Sequence, residues 1–569
     1  MEILIKFLKL SKFIFIATPI ISTLIYTKSI MQGFPLLKLL ACVIGLTCLL
    51  FLILLQNQIR VFMSNAIYLW PMVLFLAITI LVALNSGQKF NIVFFGANGR
   101  YTGLIYTLVT GLYFIVTFYL TNSRDIIIIT FKFTSMVGLG LSLVGNYNSI
   151  KYPNNFLSQQ TEPYNLTFNN KNFSTFFLSL SAIITLYLFL MVKNNASKTF
   201  FIINFVCHFL TILRIGDSQG IIYLSLGIAM VLFFSLLYSS WIRKNIGLKF
   251  VYFGIFGFLV FVSIFGPKII LWILENRTFR YRLYLWKSGY QIFQDNWLFG
   301  VGLRSFGDWE PRYRDPQLNI ELGLQPEEYS LDPHNSVIGA LVNGGIPLFF
   351  SYFVLILFIT YKGLLGFRKN KDIVLHGSLF SLWVIFVMKQ LVSIDNLSVD
   401  LWGWIFAAFL LKLSYNEINI PIQTNFISKT TRNKNRVTNF TFYCTILVMS
   451  LSTVIIYNHV YQNFLIFDRL KLVAKNPNSS KSIEYVKQAS LFSKNIPSTE
   501  IRIAFVEILI YSGQVEEAIN VARYTIQDFP NRADGWKTLA IIYEDLGDKR
   551  QSEMFNLESK RLRPLDIKF

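Results

Sequence analysis

This sequence of 569 residues has few charged residues and very few cysteines. Charged residues make up 15% of the chain, against about 25% in soluble globular domains, and this scarcity excludes an ordinary soluble enzyme. The four cysteines (Cys42, Cys48, Cys207 and Cys444) lie in apolar runs, where a thiol acts as a small hydrophobic group. Their spacing matches no metal-binding motif. The sequence therefore predicts neither a disulfide scaffold nor a thiolate metal site.

Acidic residues are almost absent from the first half of the chain. Residues 1–270 contain only Glu2, Asp125, Glu162 and Asp217. The whole chain has a net charge of +21, yet the acidic and basic residues of its last 89 positions balance, so the excess belongs to the apolar part. Lys and Arg in cytoplasmic loops orient membrane proteins. Because topology accounts for the positive charge, no nucleic-acid partner is expected.

Long apolar runs are what the sequence does contain. Hydrophobic residues make up 54% of the chain, with 55 Phe, and the mean hydropathy is +0.50. A run of about 20 apolar residues spans a bilayer. The candidate spans are residues 13–30, 35–55, 66–84, 102–121, 126–145, 174–192, 199–216, 220–240, 249–267, 342–361, 373–392, 400–415 and 439–458. The predicted fold is an all-α polytopic membrane bundle of about 13 helices, with residues 1–459 as the membrane domain.

The basic clusters between these runs predict the orientation of the chain. With the N-terminus in the cytoplasm, the short basic loops, such as those at Arg124 and at residues 429–436, all fall on the inner side. Two polar segments then lie outside. One is the loop 268–341, and the other is the tail 460–569. Anionic membrane lipids are expected partners of the basic loops.

The tail contains a sequence repeat. Gly513 and Gly547 are 34 positions apart, and Pro497, Pro530 and Pro564 follow a similar period. The spacing in the last unit resembles that of tetratricopeptide repeats. We expect an α-solenoid of stacked helix pairs. Its role has two interpretations: binding of a protein partner, or a stabilising cap without a ligand.

One histidine stands apart from the others. His208, His376 and His459 lie in apolar runs or at the end of one. His334 lies in the outer loop, between Pro333 and Asn335, directly before a span. Asn335 or Ser336 can cap the helix that follows. An imidazole is well suited to accept a proton near neutral pH, so His334 is a candidate base at the membrane surface, although a loop histidine is more often simply solvated.

An amphipathic segment precedes this histidine in the loop. Residues 278–294 place apolar side chains on one side of a helix and cations on the other, which is typical of a helix on the membrane surface. Arg277, Arg280 and Arg282 lie on or beside it. A guanidinium fork can bind phosphate oxygens bidentately, so these arginines could hold a pyrophosphate. Attraction to lipid headgroups is the alternative interpretation.

Three segments of the loop resemble a known family. They are Arg282 to Trp286, then Asn-Trp-Leu-Phe-Gly-Val-Gly at 296–302, then His334-Asn335-Ser336 with Leu-Val-Asn-Gly-Gly-Ile at 341–346. In this order they are similar to the O-antigen ligase/polymerase superfamily, and more closely to cyanobacterial-type members with a tetratricopeptide tail. The resemblance covers about residues 1–415. Segments 95–103 and 169–173 are similar to further family segments.

The resemblance implies a membrane glycosyltransferase of the GT-C type. The implied reaction is metal-independent, needs no cofactor, and uses a glycan on undecaprenyl pyrophosphate as donor at the outer face of the bacterial cytoplasmic membrane. The implied acceptor is lipid A core, another lipid-linked glycan or a protein hydroxyl. The family roles carry over to His334 as the base that activates the acceptor and to Arg282 as the group that holds the pyrophosphate.

The sequence departs from the family at one motif. Many members have a Ser-Arg-Gly-like motif, whereas this chain has Asp217-Ser218-Gln219-Gly220, with Gln219 in the arginine position. Gln219 itself is a candidate for binding the substrate, and further candidates are Arg214, Arg280, Arg277, Arg100 and Asn335. Asp217 has two equal interpretations: it orients His334 or an arginine, or it caps a helix.

A polytopic solute transporter, such as one for inorganic carbon, is the main alternative. A transporter is expected to place ionisable groups near the bilayer midplane, whereas these spans are nearly free of acids. The outer side also shows no carboxylate pair, Ser-His-Asp set or metal cluster. Among enzyme readings, a ligase or polymerase ranks above a protein O-oligosaccharyltransferase, and the tail could recruit a protein acceptor or an assembly partner.

Overall fold

The computed structural model describes residues 2–26, 33–56, 68–96, 100–151, 166–168, 170–238, 275–323, 328–369, 372–415, 432–475, 484–488, 490 and 498–564. Throughout these ranges the regular secondary structure is helical and contains no strand. The all-α class predicted from the sequence is therefore confirmed.

The helices are numbered here in chain order. The first group is α1 (Glu2–Leu24), α2 (Gly33–Leu55), α3 (Trp70–Asn85), α4 (Phe90–Phe95), α5 (Leu104–Leu120), α6 (Arg124–Lys151), α7 (Lys171–Met191), α8 (Asn195–Ile215) and α9 (Ser218–Tyr238). The outer loop contains α10 (Arg277–Asp295), α11 (Phe306–Tyr313) and α12 (Pro316–Leu322). The remaining helices are α13 (Ser336–Lys369), α14 (Ile373–Val392), α15 (Leu397–Ser414), α16 (Arg432–Lys475), α17 (Thr499–Tyr511), α18 (Val515–Asp528), α19 (Ala533–Asp545) and α20 (Lys549–Leu562).

The described helices bear out a polytopic membrane protein. Ten of them are long and apolar enough to cross a bilayer, and α3 and α5 are apolar but shorter. Together they match twelve of the predicted spans, while the predicted span 249–267 lies outside the described residues. One shift in position concerns the site: α13 begins at Ser336 rather than at 342. Its start therefore lies two residues after His334.

Helix α15 lies at the centre of the bundle, and all of its residues are buried. Hydroxyl groups join it to α1: Trp402 Nε1 donates to Thr23 Oγ1 at 2.9 Å, and Ser398 Oγ donates to the carbonyl of Ser22 at 2.9 Å. Such polar contacts hold membrane helices together where lipid tails offer no hydrophobic contrast. This rigid centre fixes the short segment 393–396 that enters α15.

A buried ion pair that hydropathy did not reveal lies within the spans that the structure describes. Lys389 of α14 contacts Asp400 of α15 at 2.6 Å. Asp400 also accepts hydrogen bonds from the Tyr106 hydroxyl at 2.6 Å and from the backbone N–H of Asn396 at 2.7 Å. The charge is thus matched and hydrogen-bonded, as a buried ion pair in a membrane protein requires.

Polar loops meet at one end of the bundle. Gln88, which follows α3, donates to Ser305 Oγ at 2.5 Å, and Arg304 donates to the carbonyl of Thr102 at 2.8 Å. Arg124 and Asp372, at the starts of α6 and α14, form an ion pair at 2.6 Å. The chain reaches them after running the length of α5 and of α13, so this pair lies at the opposite end of the bundle. This grouping agrees with the sidedness predicted from the basic loops, whereas the absolute orientation stays a prediction.

The tail forms two helix pairs with one period. The first and last residues of α19 and α20 lie 34 positions after those of α17 and α18. Gly513 and Gly547 have positive φ in the corresponding turns. The period predicted from the sequence is therefore present in the helix boundaries, while the assignment to tetratricopeptide repeats stays a prediction.

The tail packs against the outer loop through charged side chains. Arg532, just before α19, contacts Asp308 of α11 at 2.5 Å, and both side chains are buried. Arg532 also donates to the hydroxyl of Tyr329 at 3.0 Å, and Arg312 donates to Asn531 at 2.7 Å. Tyr329 lies five positions before His334, so the tail holds the chain segment that leads to this histidine.

We predict that Arg532→Met lowers the free energy of unfolding of the full chain by about 3–5 kcal/mol, because Asp308 is left buried without its partner. The control is Arg561→Met, which breaks an exposed pair with Glu558 and should cost less than about 1 kcal/mol. Denaturant or thermal unfolding followed by intrinsic fluorescence measures both. Equal effects of the two substitutions would contradict the proposed role of this contact.

Candidate active site

Backbone strain concentrates around His334. Among the described non-glycine residues, Tyr101, Arg304 and His334 have φ of 53°, 59° and 56°, and Leu166 is the fourth with positive φ. Such residues persist in the left-handed region only where surrounding contacts hold them, and they are common at functional sites. Tyr101, Arg304 and His334 lie where the outer loop meets the membrane helices.

Hydrogen bonds fix the backbone on both sides of His334. Its N–H donates to Asp332 Oδ1 at 2.9 Å, and the carbonyl of Pro333 accepts from Trp286 Nε1 at 3.0 Å. Asn335 caps α13, since its Oδ1 accepts from the N–H groups of the second and third residues after it, at 2.9 and 3.1 Å. The imidazole is thereby held at the helix start, with its ring edge-on to Tyr281 at a centroid distance of 6.4 Å.

Helix α13 is kinked shortly after this start. Gly345 has φ 62° and ψ −156°, and Pro347 follows. Because Pro347 has no N–H, the carbonyl of Asn343 lacks its helical donor. The N–H of Gly302 donates to that carbonyl instead, at 3.2 Å. The kink therefore joins α13 to the Gly-x-Gly segment of the outer loop.

The Gly-x-Gly segment, residues 300–302, makes close backbone contacts with α13. Val301 N–H donates to the Val342 carbonyl at 2.8 Å, and a Cβ on Gly300 would collide with the same carbonyl. Gly300 and Gly302 have φ of 65° and 102°, conformations that favour glycine. The turn thus allows two backbones to approach closely and delivers Arg304 to the site.

The buried face of α10 differs from the sequence prediction. The helix itself is confirmed, but its inward side consists of Arg282, Leu285, Ser288, Gly289 and Ile292. Leu285 and Ile292 pack in a small core with Phe306 and Val342, whereas the predicted apolar side is half-buried or exposed. Close packing of α10 on α13 at Gly289 explains why the helix is rotated about its axis relative to the predicted orientation. This rotation buries Arg282.

Arg282 contacts Gln219, the residue that stands in the arginine position of the family motif. With its amide oxygen facing the guanidinium, Gln219 accepts from Nη1 and Nη2 of Arg282 at 3.1 and 2.6 Å. The Nε atom of Arg282 is buried and has no partner in the described part of the chain. Burial lowers the pKa of Arg282. One N–H of this guanidinium therefore remains available to an acceptor.

Asp217 is a helix cap. Its Oδ2 accepts from the N–H of Gly220 at 3.1 Å and from Thr175 Oγ1 at 2.6 Å. These contacts fix the first turn of α9 and with it the position of Gln219. Of the two sequence interpretations of Asp217, the contacts support the cap.

Arg100 is a second cation beside the histidine. Its Nη1 is buried and has no hydrogen-bond partner among the described residues, and burial lowers its pKa. Buried N–H donors usually have an acceptor, since an unsatisfied one costs about 1–3 kcal/mol. Arg100 and Arg282 thus both present an unused donor near His334.

Burial and these two cations keep His334 neutral. Burial lowers the pKa of its imidazole, and the positive charges of Arg282 and Arg100 lower it further, from 6.5 to about 3. The ring is therefore unprotonated at neutral pH and able to accept a proton. A nearby anion would reverse the effect of the arginines on this pKa.

Other predicted site residues lie elsewhere. Arg214 is exposed and donates to Asn146 of α6 at 2.8 Å. Arg280 pairs with Glu321 at 3.4 Å, and Arg277 donates to the carbonyl of Leu322, both toward α12. Of the residues listed from the sequence, the structure groups Arg282, Gln219, Arg100 and Asn335 near His334, and it does not group Arg214 and Arg280 with them.

Arg304 and Asp395 belong to the site but were not selected from the sequence. The Arg304 guanidinium contacts Asp332 at 3.3 Å, Asp395, and the carbonyl of Thr102 at 2.8 Å. Burial alone would lower the pKa of Arg304, but the two carboxylates outweigh it and raise the pKa. An acid in the short loop 393–396, on the same side as His334, was the available sequence signal.

A cavity of about 90 Å³ borders the segment that carries His334. Asp332, Asn335 and Ser336 line it together with Arg304 and Asp395. Among the residues that the structure describes, no group of three or more His, Cys, Asp or Glu side chains has the arrangement of a metal site. Metal independence itself stays a prediction.

We predict that Arg282→Gln and Arg100→Gln each raise the pKa of His334 from about 3 toward 6.5, because each removes a neighbouring positive charge. Histidine NMR of the isotope-labelled protein, with His334→Gln for assignment, measures this. Arg280→Gln is the matched control and should leave the pKa unchanged. An unshifted pKa in both test variants would contradict the described electrostatics.

The same depression has a consequence for stability. The unfolded chain protonates this histidine near pH 6.5, and the folded chain does so only near pH 3. The contribution of His334 to folding stability is therefore present above pH 6.5 and decreases as the pH falls through this window.

A comparison with protein families identifies the region that contains this site. Residues 203–353 match the Wzy_C family, described as O-antigen ligase. The matched range includes Gln219, Arg282, Arg304 and His334, while Arg100 and Asp395 lie outside it. No curated protein matches the chain. The cyanobacterial and tetratricopeptide features remain predictions. The protein is a polytopic membrane protein whose residues 203–353 match the O-antigen ligase family, and this match supports the resemblance to the O-antigen ligase/polymerase superfamily.

Proposed function

We propose that this protein transfers or polymerises a glycan from an undecaprenyl-pyrophosphate-linked donor onto an acceptor hydroxyl. Membrane glycan ligation or polymerisation is the general function of the family. The observation that carries the specific proposal is the neutral His334 beside Arg282 and Arg100, each with a buried, unused N–H donor. A base and two free anion-binding groups are what this reaction needs.

In the proposed reaction the acceptor hydroxyl attacks the anomeric carbon of the donor. His334 accepts the hydroxyl proton as the new C–O bond forms. The bond from the anomeric carbon to the pyrophosphate breaks, and the pyrophosphate leaves with the electron pair. Arg282 and Arg100 stabilise the negative charge that develops on this leaving group. The charge is supplied by side chains, so the proposal includes no metal ion and no cofactor.

Donor binding also strengthens the base in this proposal. Arg282 and Arg100 depress the pKa of His334 in the free protein. A pyrophosphate bound to both guanidinium groups compensates their positive charge, so the pKa rises above about 3 by the part that the arginines cause, while burial continues to lower it. An imidazole with a pKa nearer to the working pH is a more effective general base. The site therefore becomes catalytically competent when the donor is present.

Gln219 supports this arrangement as an orienting residue. Its amide oxygen accepts one hydrogen from each Nη group of Arg282, which orients the guanidinium and leaves the Nε–H and the second hydrogen of each Nη for a ligand. Arg100 then supplies the second cation that the family motif places in the position of Gln219. Arg214 and Arg280 face other partners and have no role in the proposal.

The proposed location is the outer face of the bacterial cytoplasmic membrane, with the N-terminus inside and the tail in the periplasm. The grouping of the site loops at one end of the bundle and of Arg124 at the other supports this orientation. The acceptor can be lipid A core or a lipid-linked glycan. Transfer to a protein hydroxyl is the related alternative, with the tail as the recruiting surface.

One observation bears on the transporter alternative. Lys389 and Asp400 are ionisable groups inside the spans, as a transport site requires. They are paired with each other, and Asp400 is also satisfied by Tyr106 and Asn396. A closed network of this kind supports a structural role, and we favour the enzyme.

We predict that His334→Ala still binds the lipid-linked donor but loses transfer activity by at least about 10²-fold, the lower end for a general base. Arg282→Lys keeps the charge and loses the planar fork, so transfer should also fall. The matched control is Arg280→Lys on the same helix, which should remain near normal. Transfer by purified variants reconstituted in lipid, with extracted donor, measures all three.

A different pattern would contradict the proposal. If His334→Ala transfers glycan at a near-normal rate and Arg282→Lys behaves like the control, neither residue takes part in the chemistry. Solute flux that depends on Lys389 and Asp400, with no transfer at all, would instead support the transporter.

A further inference from the structure

The cavity beside His334 is distinct from the group of unused arginine donors. Arg304, Asp332 and Asn335 line its polar end, and Phe75, Leu348 and Trp404 line its deeper part. Arg282, Arg100 and Gln219 do not line it. His334 does not line the cavity either, but its neighbours Asp332 and Asn335 do. The segment that carries the base therefore borders the cavity, while Arg282 and Arg100 act on the His334 ring.

The charge in the cavity is matched. Its one guanidinium is that of Arg304, which is paired with Asp332 and Asp395. Arg100 also acts electrostatically on both carboxylates, so the two arginines balance them and a charged ligand gains nothing there. A pyrophosphate accordingly suits the side of Arg282 and Arg100. The cavity suits an uncharged ligand with hydroxyl groups.

One side chain in the wall lacks a partner. Asn343 is more than nine-tenths buried and lines the cavity, and its Oδ1 has no hydrogen-bond partner in the described part of the chain. Its backbone carbonyl is already occupied by Gly302. A buried amide oxygen without a donor indicates that a ligand or water supplies one. A sugar hydroxyl is such a donor.

The size and the remaining wall also fit a sugar. At about 10–15 Å³ for each water, the 90 Å³ holds roughly six to nine waters, which is the scale of one sugar ring with its hydroxyl groups. Tyr106, Tyr352 and Trp404 provide aromatic surface. The deeper part lies between α3, α5, α13 and α15, at the depth of the membrane helices.

We propose that this cavity binds a neutral sugar ring of a membrane-borne acceptor and presents its hydroxyl to His334. The inference rests on the proposed function and names the acceptor class that it left open. A sugar on a lipid can enter a cavity at helix depth, whereas a hydroxyl on a folded protein cannot reach so far between helices. Asn343 selects the ring by accepting one of its hydroxyl protons.

The test uses the full chain in lipid nanodiscs and calorimetric titration with hexyl glucoside, hexyl galactoside and hexyl N-acetylglucosaminide. At least one neutral glycoside should bind saturably. Hexyl glucuronide, a matched sugar with a carboxylate, should bind at least about tenfold more weakly. Asn343→Leu should weaken the neutral glycoside about 3- to 10-fold, the effect of one lost hydrogen bond, and Ala340→Leu, which fills the cavity, should abolish binding.

Two controls separate this inference from the proposed function. Thr79→Val changes another lining residue whose hydroxyl already bonds the Phe75 carbonyl, so glycoside binding should not change. Undecaprenyl pyrophosphate should bind wild type and Asn343→Leu equally. The inference is overturned if no neutral glycoside binds, if the glucuronide binds as well, or if both cavity variants are silent. Failure of undecaprenyl pyrophosphate to bind wild type instead counts against the proposed function.

Discussion

The guanidinium of Arg304 joins three segments that are distant in the sequence, and the geometry of the site depends on this contact. It holds the Thr102 carbonyl before α5, Asp332 in the outer loop and Asp395 before α15. Asp332 in turn accepts the backbone N–H of His334. The strained backbones at Arg304 and His334 persist because these charged contacts fix both residues. Arg304 therefore positions His334 through Asp332, without contacting the histidine itself.

Local sequence signals predicted much of this arrangement. Long apolar runs predicted twelve helices that the structure contains, because burial in a bilayer imposes a single composition on them. His334 was identifiable because it is a histidine at a loop–helix boundary, with Asn335 as its cap. The interval between Gly513 and Gly547 predicted the period of the tail helices. Each of these predictions depends on interactions within one helix or one turn.

The remaining features depend on contacts between distant segments. The pairing of Arg304 with Asp395 and of Lys389 with Asp400 cannot be derived from hydropathy, which treats each charge alone. The rotation of α10 that buries Arg282 follows from its packing on α13, whose kink requires the Gly-x-Gly segment. Likewise, the contact of Arg532 with Asp308 links the tail to the outer loop, and the repeat spacing within the tail carries no signal of this contact.

The central claim is that the cations which keep His334 neutral are those that bind the pyrophosphate. The most direct measurement is the pKa of His334, by histidine NMR in nanodiscs, with and without undecaprenyl pyrophosphate. The account predicts a rise above about 3, the value in the free protein, by the part of the depression that the two arginines cause, and no such rise with undecaprenol. A pKa that stays unchanged when undecaprenyl pyrophosphate binds would contradict it.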